Sequence, residues 1–315
     1  MTDRAVCVIG AGLIGGSLLR AATKAGREVW GTSASAGTAA TARADGFDVT
    51  TDTDAALRRA AELDALVVLA VPLPALPDVL RRVDAVAPAC RLTDVVSVKV
   101  AVADVVRELA PRARYVGGHP MAGTVDSGWA AGHAALFVDA AWVVAADDGL
   151  DLDVWADVAE LAWACGSRVV PAAVDEHDLA VARISHLPHL MAAVLATVGA
   201  GEQDDDLPLA LAASSFADGT RVAGTRPELV LAMCEGNRDA LLAAVDDALG
   251  RLGAMRGALA STGGLAATVR AGFTARQQWA ATREPLEHRV HLRGPAALAE
   301  LRELGRWGEV VVGWE

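Results

Sequence analysis

The sequence is poor in aromatic side chains and in positive charge. Aromatic residues make up 4% of its 315 residues, which leaves few rings on which nucleic-acid bases could stack. Its 40 acidic residues outnumber 28 lysines and arginines, and the net charge of -12 repels nucleic acids and anionic membranes. We therefore expect neither a nucleic acid nor a membrane as a partner.

Cysteines and long apolar runs are also scarce. The four cysteines lie far apart and form no CxxC pair, which is typical of reduced residues in a cytoplasmic protein. The apolar stretch Ala65–Leu80 is interrupted by three prolines, so no segment of membrane-spanning length is expected. The length of the chain predicts two domains.

A glycine cluster stands near the start of the chain. The segment Val6–Ser17, VCVIGAGLIGGS, joins a short apolar run to an amphipathic stretch and predicts strand, tight turn and helix. In this G-x-G-x-x-G pattern Gly10 permits the turn, Gly12 leaves room for a pyrophosphate, and Gly15 lets the helix pack closely. The helix N-terminus then offers N–H groups to the phosphates, so the segment predicts a dinucleotide site.

Strands and helices alternate through residues 1–172. The apolar run Ala65–Val71 is typical of a parallel strand buried on both faces. Ser97 and His119 each follow a predicted strand, Arg91–Val96 and Arg114–Val116, and ligands bind at the carboxyl edge of a doubly wound sheet. The region therefore predicts an α/β domain with a Rossmann-type doubly wound parallel sheet. Two further segments are expected as edge strands: Ala141–Ala145 and Arg168–Val170.

The second strand, Glu28–Thr32, leaves the choice between NAD and NADP open. An NAD-binding domain usually has an acidic residue at the end of this strand, to bind the ribose 2′-OH. Here Thr32 and Ser33 offer hydroxyls to a 2′-phosphate, but no arginine stands beside them to neutralise it. The residues expected to contact the cofactor are Gly10, Gly12, Leu13, Ile14, Gly15, Thr32, Ser33, Val71 and Ser97.

The pattern changes at residue 173 to long stretches rich in alanine and leucine with helical spacing. They predict an all-helical domain over residues 173–285, in which Pro188 should kink the first helix. Residues 286–315 predict a short strand–helix–strand tail that must dock on the body or on a second subunit. The predicted helices are Asp178–Val198, Leu207–Ala217, Pro227–Leu252 and Gly264–Thr282.

Several motifs together resemble the prephenate and arogenate dehydrogenases of tyrosine biosynthesis. They are Gly10–Ser17, Asp94–Lys99 (DVVSVK), Gly118–Gly123 (GHPMAG), Ser185–His189 (SHLPH) and Asp218–Ala223 (DGTRVA), with His177 and Asn237. GHPMAG and SHLPH in this order are far more specific than the glycines alone. The resemblance covers residues 1–285 and implies a Rossmann domain followed by a helical dimerisation domain, hence a homodimer. The tail resembles part of an ACT domain.

The resemblance implies a reaction: NAD(P)-dependent oxidative decarboxylation of prephenate, a small molecule, to 4-hydroxyphenylpyruvate. It implies that His119 takes the C4 hydroxyl proton as hydride leaves, a role that suits a neutral imidazole, and that Ser97 bonds the same hydroxyl. Arg221 matches the substrate-binding arginine of the family, whose fork suits carboxylates. His177 and His186 match histidines around the substrate pocket.

Other functions remain open at this stage. The substrate could be arogenate, giving tyrosine directly, or 4-amino-4-deoxyprephenate. A non-catalytic NAD(P)-binding sensor is the alternative from another class, and the joint presence of His119, Ser97 and Arg221 argues against it.

Individual residues also have simpler interpretations. Ser97 could be only the N-cap of a helix over Val98–Leu109, and His189 is as well suited to helix packing as to ligand binding. His186 and His189 have no carboxylate or cysteine spaced to complete a metal site, so no metal is expected. Three charged residues are interpreted as ordinary surface charges: Arg226, Glu235 and Arg238.

Overall fold

The computed structural model describes residues 4–124, 126–201, 206–261, 264–281, 284–294 and 296–315. In these ranges the strands are β1 Val6–Ile9, β2 Val29–Thr32, β3 Val49–Thr50, β4 Leu66–Leu69, β5 Arg91–Asp94, β6 Arg114–Tyr115, β7 Gly118–Pro120, β8 Ala141–Ala145, β9 Arg168–Ala172, β10 Glu287–Val290 and β11 Val310–Trp314. The α-helices are α1 Leu13–Lys24, α2 Ala36–Ala44, α3 Thr53–Glu62, α4 Leu76–Val86, α5 Val100–Leu109, α6 Leu152–Ala164, α7 Val174–Val181, α8 Leu187–Ala200, α9 Leu207–Ala210, α10 Ser214–Thr220, α11 Pro227–Gly236, α12 Arg238–Ala260, α13 Ala266–Ala280 and α14 Ala297–Arg306. Three 3₁₀ helices, Leu73–Ala75, Trp129–Ala131 and Arg221–Gly224, and a π-helical turn, Ala182–His186, complete the set.

The chain forms two compact units. The mixed unit comprises Met1–Asp178, Gly224–Gly236 and Glu287–Glu315. The helical unit comprises Leu179–Ala223 and Asn237–Leu286. The chain therefore enters and leaves the mixed unit more than once, and the short segment with α11 belongs to the mixed unit although helices surround it in sequence.

The first sheet of the mixed unit confirms the Rossmann-type prediction. Its order is β3-β2-β1-β4-β5-β6, and all neighbours are parallel. Every residue of β1 and β4 is apolar and buried, as a parallel strand covered on both faces requires. The strand order reverses at β1, which lies between β2 and β4, and doubly wound sheets bind their ligands at such a point.

A second sheet follows the first. Its order is β10-β11-β9-β8-β7, with parallel and antiparallel neighbours. The prediction that Ala141–Ala145 and Arg168–Val170 are edge strands is wrong, because β7 pairs alongside β8 and β11 pairs alongside β9. The chain passes from one sheet to the other at Gly118, where a Cβ atom would lie 2.8 Å from the carbonyl oxygen of Asp94.

The strand–helix–strand tail docks on the body of the mixed unit. Strand β11 pairs antiparallel with β9 through Val311 and Val169. The indole N–H of Trp314 donates to Glu160 at 3.0 Å, and its ring lies 4.7 Å from that of Trp163. The tail thus supplies two strands of the second sheet, which explains how so short a piece obtains a core.

The helical unit is confirmed, but its helices are shorter than predicted. Leu207–Ala217 is divided between α9 and α10, and Pro227–Leu252 is interrupted at Asn237, between α11 and α12. Helix α13 covers most of Gly264–Thr282, whose last residue lies outside the described residues. A π-helical turn, Ala182–His186, ends two residues before Pro188 and accommodates a residue that has no N–H to donate.

One helical stretch, Val174–Ala200, is long and apolar enough to cross a membrane by length and composition, with a mean hydropathy of 1.4 in its most apolar window. The sequence analysis expected none. A single such helix is weak evidence, because helices of soluble proteins pass the same test. The stretch also carries Asp175, Glu176 and Asp178 in its first turns.

Candidate active site

The glycine turn between β1 and α1 leaves one backbone face open. Gly10 has a φ of +109°, and a Cβ atom on Gly15 would overlap the carbonyl oxygen of Gly10, so both positions require glycine. No described atom lies within 4 Å of a Cβ built on Gly12, which caps α1 and lines a pocket. The residues present therefore fit a pyrophosphate at the N-terminus of α1.

The pocket has a volume of about 330 Å³ and extends from this turn to the loop after β5 and to β7. Six of the predicted site residues line it: Gly12, Leu13, Ile14, Val71, Ser97 and His119. The wall between the turn and the Ser97 loop is apolar, as the contact surface of a nicotinamide ring requires. The pocket thus combines a phosphate-binding turn with a serine and a histidine, which is the donor set of a dinucleotide-dependent dehydrogenase.

His119 is the middle residue of β7 and is held by a chain of buried hydrogen bonds. Its Nδ1 atom lies 2.8 Å from Nε2 of His177, and Nδ1 of His177 lies 2.8 Å from Oδ1 of Asp178. All three residues are buried. Burial lowers the pKa of His177, although the adjacent Asp178 carboxylate favours its protonated form. His177 is therefore neutral at physiological pH.

Asp178 also binds the start of helix α5. Its Oδ1 atom accepts from the backbone N–H of Lys99 at 2.8 Å, and its Oδ2 atom accepts from that of Val100 at 2.9 Å. These are orphan donors at a helix N-terminus, which a carboxylate satisfies well. Ser97 is not the N-cap, since α5 begins at Val100 after Lys99. The simpler interpretation of Ser97 as a helix cap is therefore wrong, and its side chain lines the pocket instead.

A second network of buried hydrogen bonds joins the end of β5 to the start of β7. The Lys99 ammonium pairs with Asp94 and donates to the carbonyl oxygen of Gly118 at 2.7 Å. The Tyr115 hydroxyl donates to the other oxygen of Asp94 at 2.6 Å. Burial lowers the pKa of Lys99 and raises that of Tyr115. The network fixes the backbone on which His119 is mounted.

Four predicted cofactor residues lie outside the pocket lining. Gly10 and Gly15 form the tight packing behind the turn. Thr32 ends β2 and Ser33 follows it. Both are buried, at 2% and 9% exposure, and the Ser33 hydroxyl accepts from the N–H of Ser35.

The remaining predicted residues belong to the helical unit. His186 is completely buried, and its Nδ1 atom lies 3.2 Å from the side-chain nitrogen of Asn237. Arg221 is exposed at the end of α10. His189 is its neighbour: burial lowers the pKa of His189, and the Arg221 charge acts in the same direction. The structure thus places Arg221 beside His189, the histidine whose role the sequence left open.

Sequence reasoning missed two residues. Asp178 follows His177 directly, and an acid next to a candidate histidine was the available signal. Arg226 was interpreted as a surface charge but lines the pocket, on the helix face that also presents Leu229 and Met233. In the described ranges no group of three or more His, Cys, Asp or Glu side chains is arranged to hold a metal.

Comparison with known proteins identifies the family. Residues 16–171 match the family model for the nucleotide-binding domain of prephenate dehydrogenase, and residues 173–264 match its dimerization domain. A cyclohexadienyl dehydrogenase of Zymomonas mobilis is 34% identical over 270 residues, which cover 82% of this chain and 89% of that protein. The chain belongs to the prephenate dehydrogenase family.

Solved structures agree with this assignment. A solved structure from Corynebacterium glutamicum, described as that of a prephenate dehydrogenase, has 43% sequence identity to this chain and a TM-score of 0.93, and the match covers 99% of each chain. The arogenate dehydrogenase of Synechocystis is 29% identical, with a TM-score of 0.74, and covers 87% of this chain and 99% of its own. As a member of this family the protein is an NAD(P)-dependent dehydrogenase, and the open face at Gly12 is consistent with that cofactor.

Proposed function

We propose that this enzyme oxidises prephenate to 4-hydroxyphenylpyruvate, with loss of CO2 and reduction of NAD or NADP, in tyrosine biosynthesis. The observation that carries the proposal is the hydrogen-bonded chain from His119 through His177 to Asp178, which ends at the pocket. Membership of the family argues against a non-catalytic sensor.

The hydrogen bonds that link His119, His177 and Asp178 set the tautomer of each histidine. A carboxylate only accepts hydrogen bonds, so His177 carries its proton on Nδ1. Because His177 is neutral, its Nε2 atom accepts, and the Nδ1–H of His119 must donate to it. The lone pair of His119 is then on Nε2, as a general base in the pocket requires.

This arrangement supports the following assignment of roles. His119 takes the proton of the C4 hydroxyl, and Ser97, on the same pocket, holds that hydroxyl by a hydrogen bond. A dinucleotide held at Gly12–Ile14 would supply the acceptor for the hydride that leaves C4. The bond between C1 and the carboxylate then breaks, its electron pair completes the aromatic ring, and CO2 leaves. The phenolate oxygen recovers the proton.

Prephenate carries two carboxylates, and the proposal assigns one of them to Arg221. A guanidinium can bind a carboxylate through two parallel N–H groups. His189, next to Arg221, is a further candidate for this role. We assign His177 to the orientation of His119, and we retain His186, which the resemblance implies is a substrate-binding residue, as a further candidate; its Nδ1 atom lies 3.2 Å from the side-chain nitrogen of Asn237.

Arogenate is the second candidate substrate. The similarity to the Synechocystis arogenate dehydrogenase favours it, and arogenate differs from prephenate only in the side-chain amine that replaces the keto group. Neither Arg221 nor the chain of histidines distinguishes these two groups.

We further propose a cytoplasmic homodimer with three functional regions. Residues 1–172 bind the dinucleotide, residues 173–285 bind the substrate and form the dimer, and residues 286–315 form the strand–helix–strand tail. The match of residues 173–264 to a dimerization domain supports this division.

The test is reduced-cofactor formation by the purified protein. Prephenate and arogenate are each combined with NAD and with NADP, and absorbance of the reduced nicotinamide is followed. We expect turnover with prephenate in at least one mixture. Turnover with arogenate alone would replace the proposed substrate by the second candidate, and no turnover in any mixture would contradict both.

A further inference from the structure

Arg226 places a positive charge on the pocket that the proposed mechanism does not use. The residue lines the pocket, and its guanidinium makes no hydrogen bond or ion pair with any residue that the structure describes. Among the described lining residues, Asp126 is the one acidic side chain and Arg226 the one arginine or lysine. An arginine in this setting is available to an anion of the ligand.

Two anions must be accommodated in this pocket: the pyrophosphate of the dinucleotide and a carboxylate of the substrate. The pocket has two ends that separate them. Ser97 and His119 mark the end where the chemistry is proposed, and Gly12–Ile14 mark the end where the phosphates fit. The position of Arg226 along the pocket therefore decides which anion it meets.

Helix α11 fixes that position. A Cβ built on Gly236, the last residue of α11, would lie 2.7 Å from Leu73 and 3.3 Å from Val98, so this end of the helix packs beside the Ser97 loop. Arg226 directly precedes the first residue of α11. At a rise of 1.5 Å per residue it lies about 15 Å from Gly236 along the helix axis. Arg226, Leu229 and Met233 share the face that lines the pocket, so the helix runs along it.

Ser127 and Gly128 also line the pocket. Gly128 immediately precedes Trp129, whose ring would lie 3.0 Å from a Cβ on Gly16 in α1. This loop therefore lies beside the first turns of α1, where the pyrophosphate fits. This arrangement favours the phosphates over the reacting carbon as the partner of Arg226.

We propose that the guanidinium of Arg226 binds the pyrophosphate of the dinucleotide and adds a side-chain cation to the backbone N–H groups of α1. The proposal rests on the dehydrogenase function only for the presence of a dinucleotide. Because the pyrophosphate is common to both cofactors, Arg226 contributes equally to NAD and NADP binding and does not select between them.

The experiment measures dinucleotide affinity without substrate. NADH and NADPH are titrated by their fluorescence into wild type, Arg226→Ala, Arg226→Lys and the surface control Arg81→Ala, and ADP-ribose is titrated by displacement of NADH. We expect Arg226→Ala to raise each dissociation constant about tenfold, the usual order for loss of a charge-assisted hydrogen bond. Arg226→Lys should raise the dissociation constants by a smaller factor, and those of Arg81→Ala should match wild type.

Salt and substrate provide the remaining readouts. The difference between wild type and Arg226→Ala should shrink in 1 M KCl, because salt screens the ion pair. An unchanged NADH affinity with a raised KM for prephenate would assign Arg226 to the substrate carboxylate and overturn the proposal. No change in either constant would also overturn it. If wild type binds NADH in an Arg226-dependent way but oxidises neither substrate, the proposed reaction fails while this inference stands.

Discussion

The two units differ in where their apolar side chains lie. In the mixed unit, two buried clusters cover the sheets on their faces and include fully buried residues such as Trp142 and Trp155. In the helical unit, large apolar side chains are exposed instead. They include Val194, Val198, Leu207, Leu211, Leu249, Leu259, Val269 and Phe273, and the last of these is 66% exposed.

This difference indicates a division of labour. The mixed unit buries its own core and builds the pocket and the histidine chain from its own residues. The exposed apolar side chains of the helical unit need a cover, since so many large exposed apolar side chains in one unit are typical of an interaction site. The dimer that we propose supplies one. The following predictions test whether chemistry and assembly can be separated in this way.

Removal of His119 should have the largest effect on chemistry and none on assembly. We expect His119→Ala to lower kcat by roughly 10²–10⁴, the usual contribution of a positioned general base. Steady-state kinetics with prephenate would measure this, with NADH binding as a check on folding. The exposed His133→Ala is the matched control, and turnover of His119→Ala close to that of the control would refute the assignment.

Asp178→Asn tests the histidine chain without changing the size of the side chain. The amide no longer requires Nδ1 of His177 to carry the proton, so the tautomers of both histidines are released. We expect kcat to fall by roughly 10–100-fold, as for other residues that orient a functional group through hydrogen bonds.

The double variant separates positioning from general loss of structure. In His119→Ala, the further change Asp178→Asn should cost little activity, because the group that it orients is already absent. Independent, multiplied losses would show that Asp178 acts by another route.

A charge on the apolar face of the helical unit should break assembly. We expect Phe273→Glu or Leu259→Glu to convert dimer to monomer at micromolar concentration, because an unpaired charge is costly in a buried interface. Sedimentation velocity would measure the mass. Leu63→Glu, at an exposed position in the mixed unit, is the control, and an unchanged mass in both helical variants would exclude this face from the interface.

The smallest predicted effect concerns pH. Burial lowers the pKa of His177 in the folded protein below that of the unfolded chain, which is about 6.5. As the pH falls below this value, the unfolded state binds a proton more readily than the folded state. The contribution of His177 to the free energy of unfolding is therefore complete above pH 6.5 and is lost as the pH falls. Urea unfolding at several pH values should show a steeper loss for wild type than for His177→Gln. Parallel profiles would contradict the prediction.

The sequence was sufficient for the first sheet and for the helical character of the second half. Residues 6–9 and 66–69 are uniformly apolar, and the apolar runs that contain them end at Gly10 and at Pro72, so the apolar pattern and the turn residues agree. The second sheet was harder to predict because its order depends on a pairing between Val169 and Val311 across the whole helical unit. No local pattern records such a pairing, which is why β9 was predicted as an edge.

For the site, the motifs predicted residues better than their relations. Ser97 and His119 were predicted from strand ends and motif likeness, and both line the pocket. The link from His119 to Asp178 could not be derived, because it depends on the rotamers of buried side chains 58 residues apart in sequence. Arg226 was missed because nothing in the sequence around it distinguishes it from an ordinary surface charge, and the path of α11 brings it to the pocket.

The tail strand β11 has a consequence for how the chain would respond to proteolysis. It lies between β10 and β9, and Trp314 packs against Trp155 and Trp163. A cut in the helical unit would sever the backbone between the body and the tail but would leave every pairing of the second sheet intact. The fragment that begins after the cut would therefore stay bound under native conditions and separate only in denaturant. Nicked protein would run as one species in a sizing column and as two in a denaturing gel.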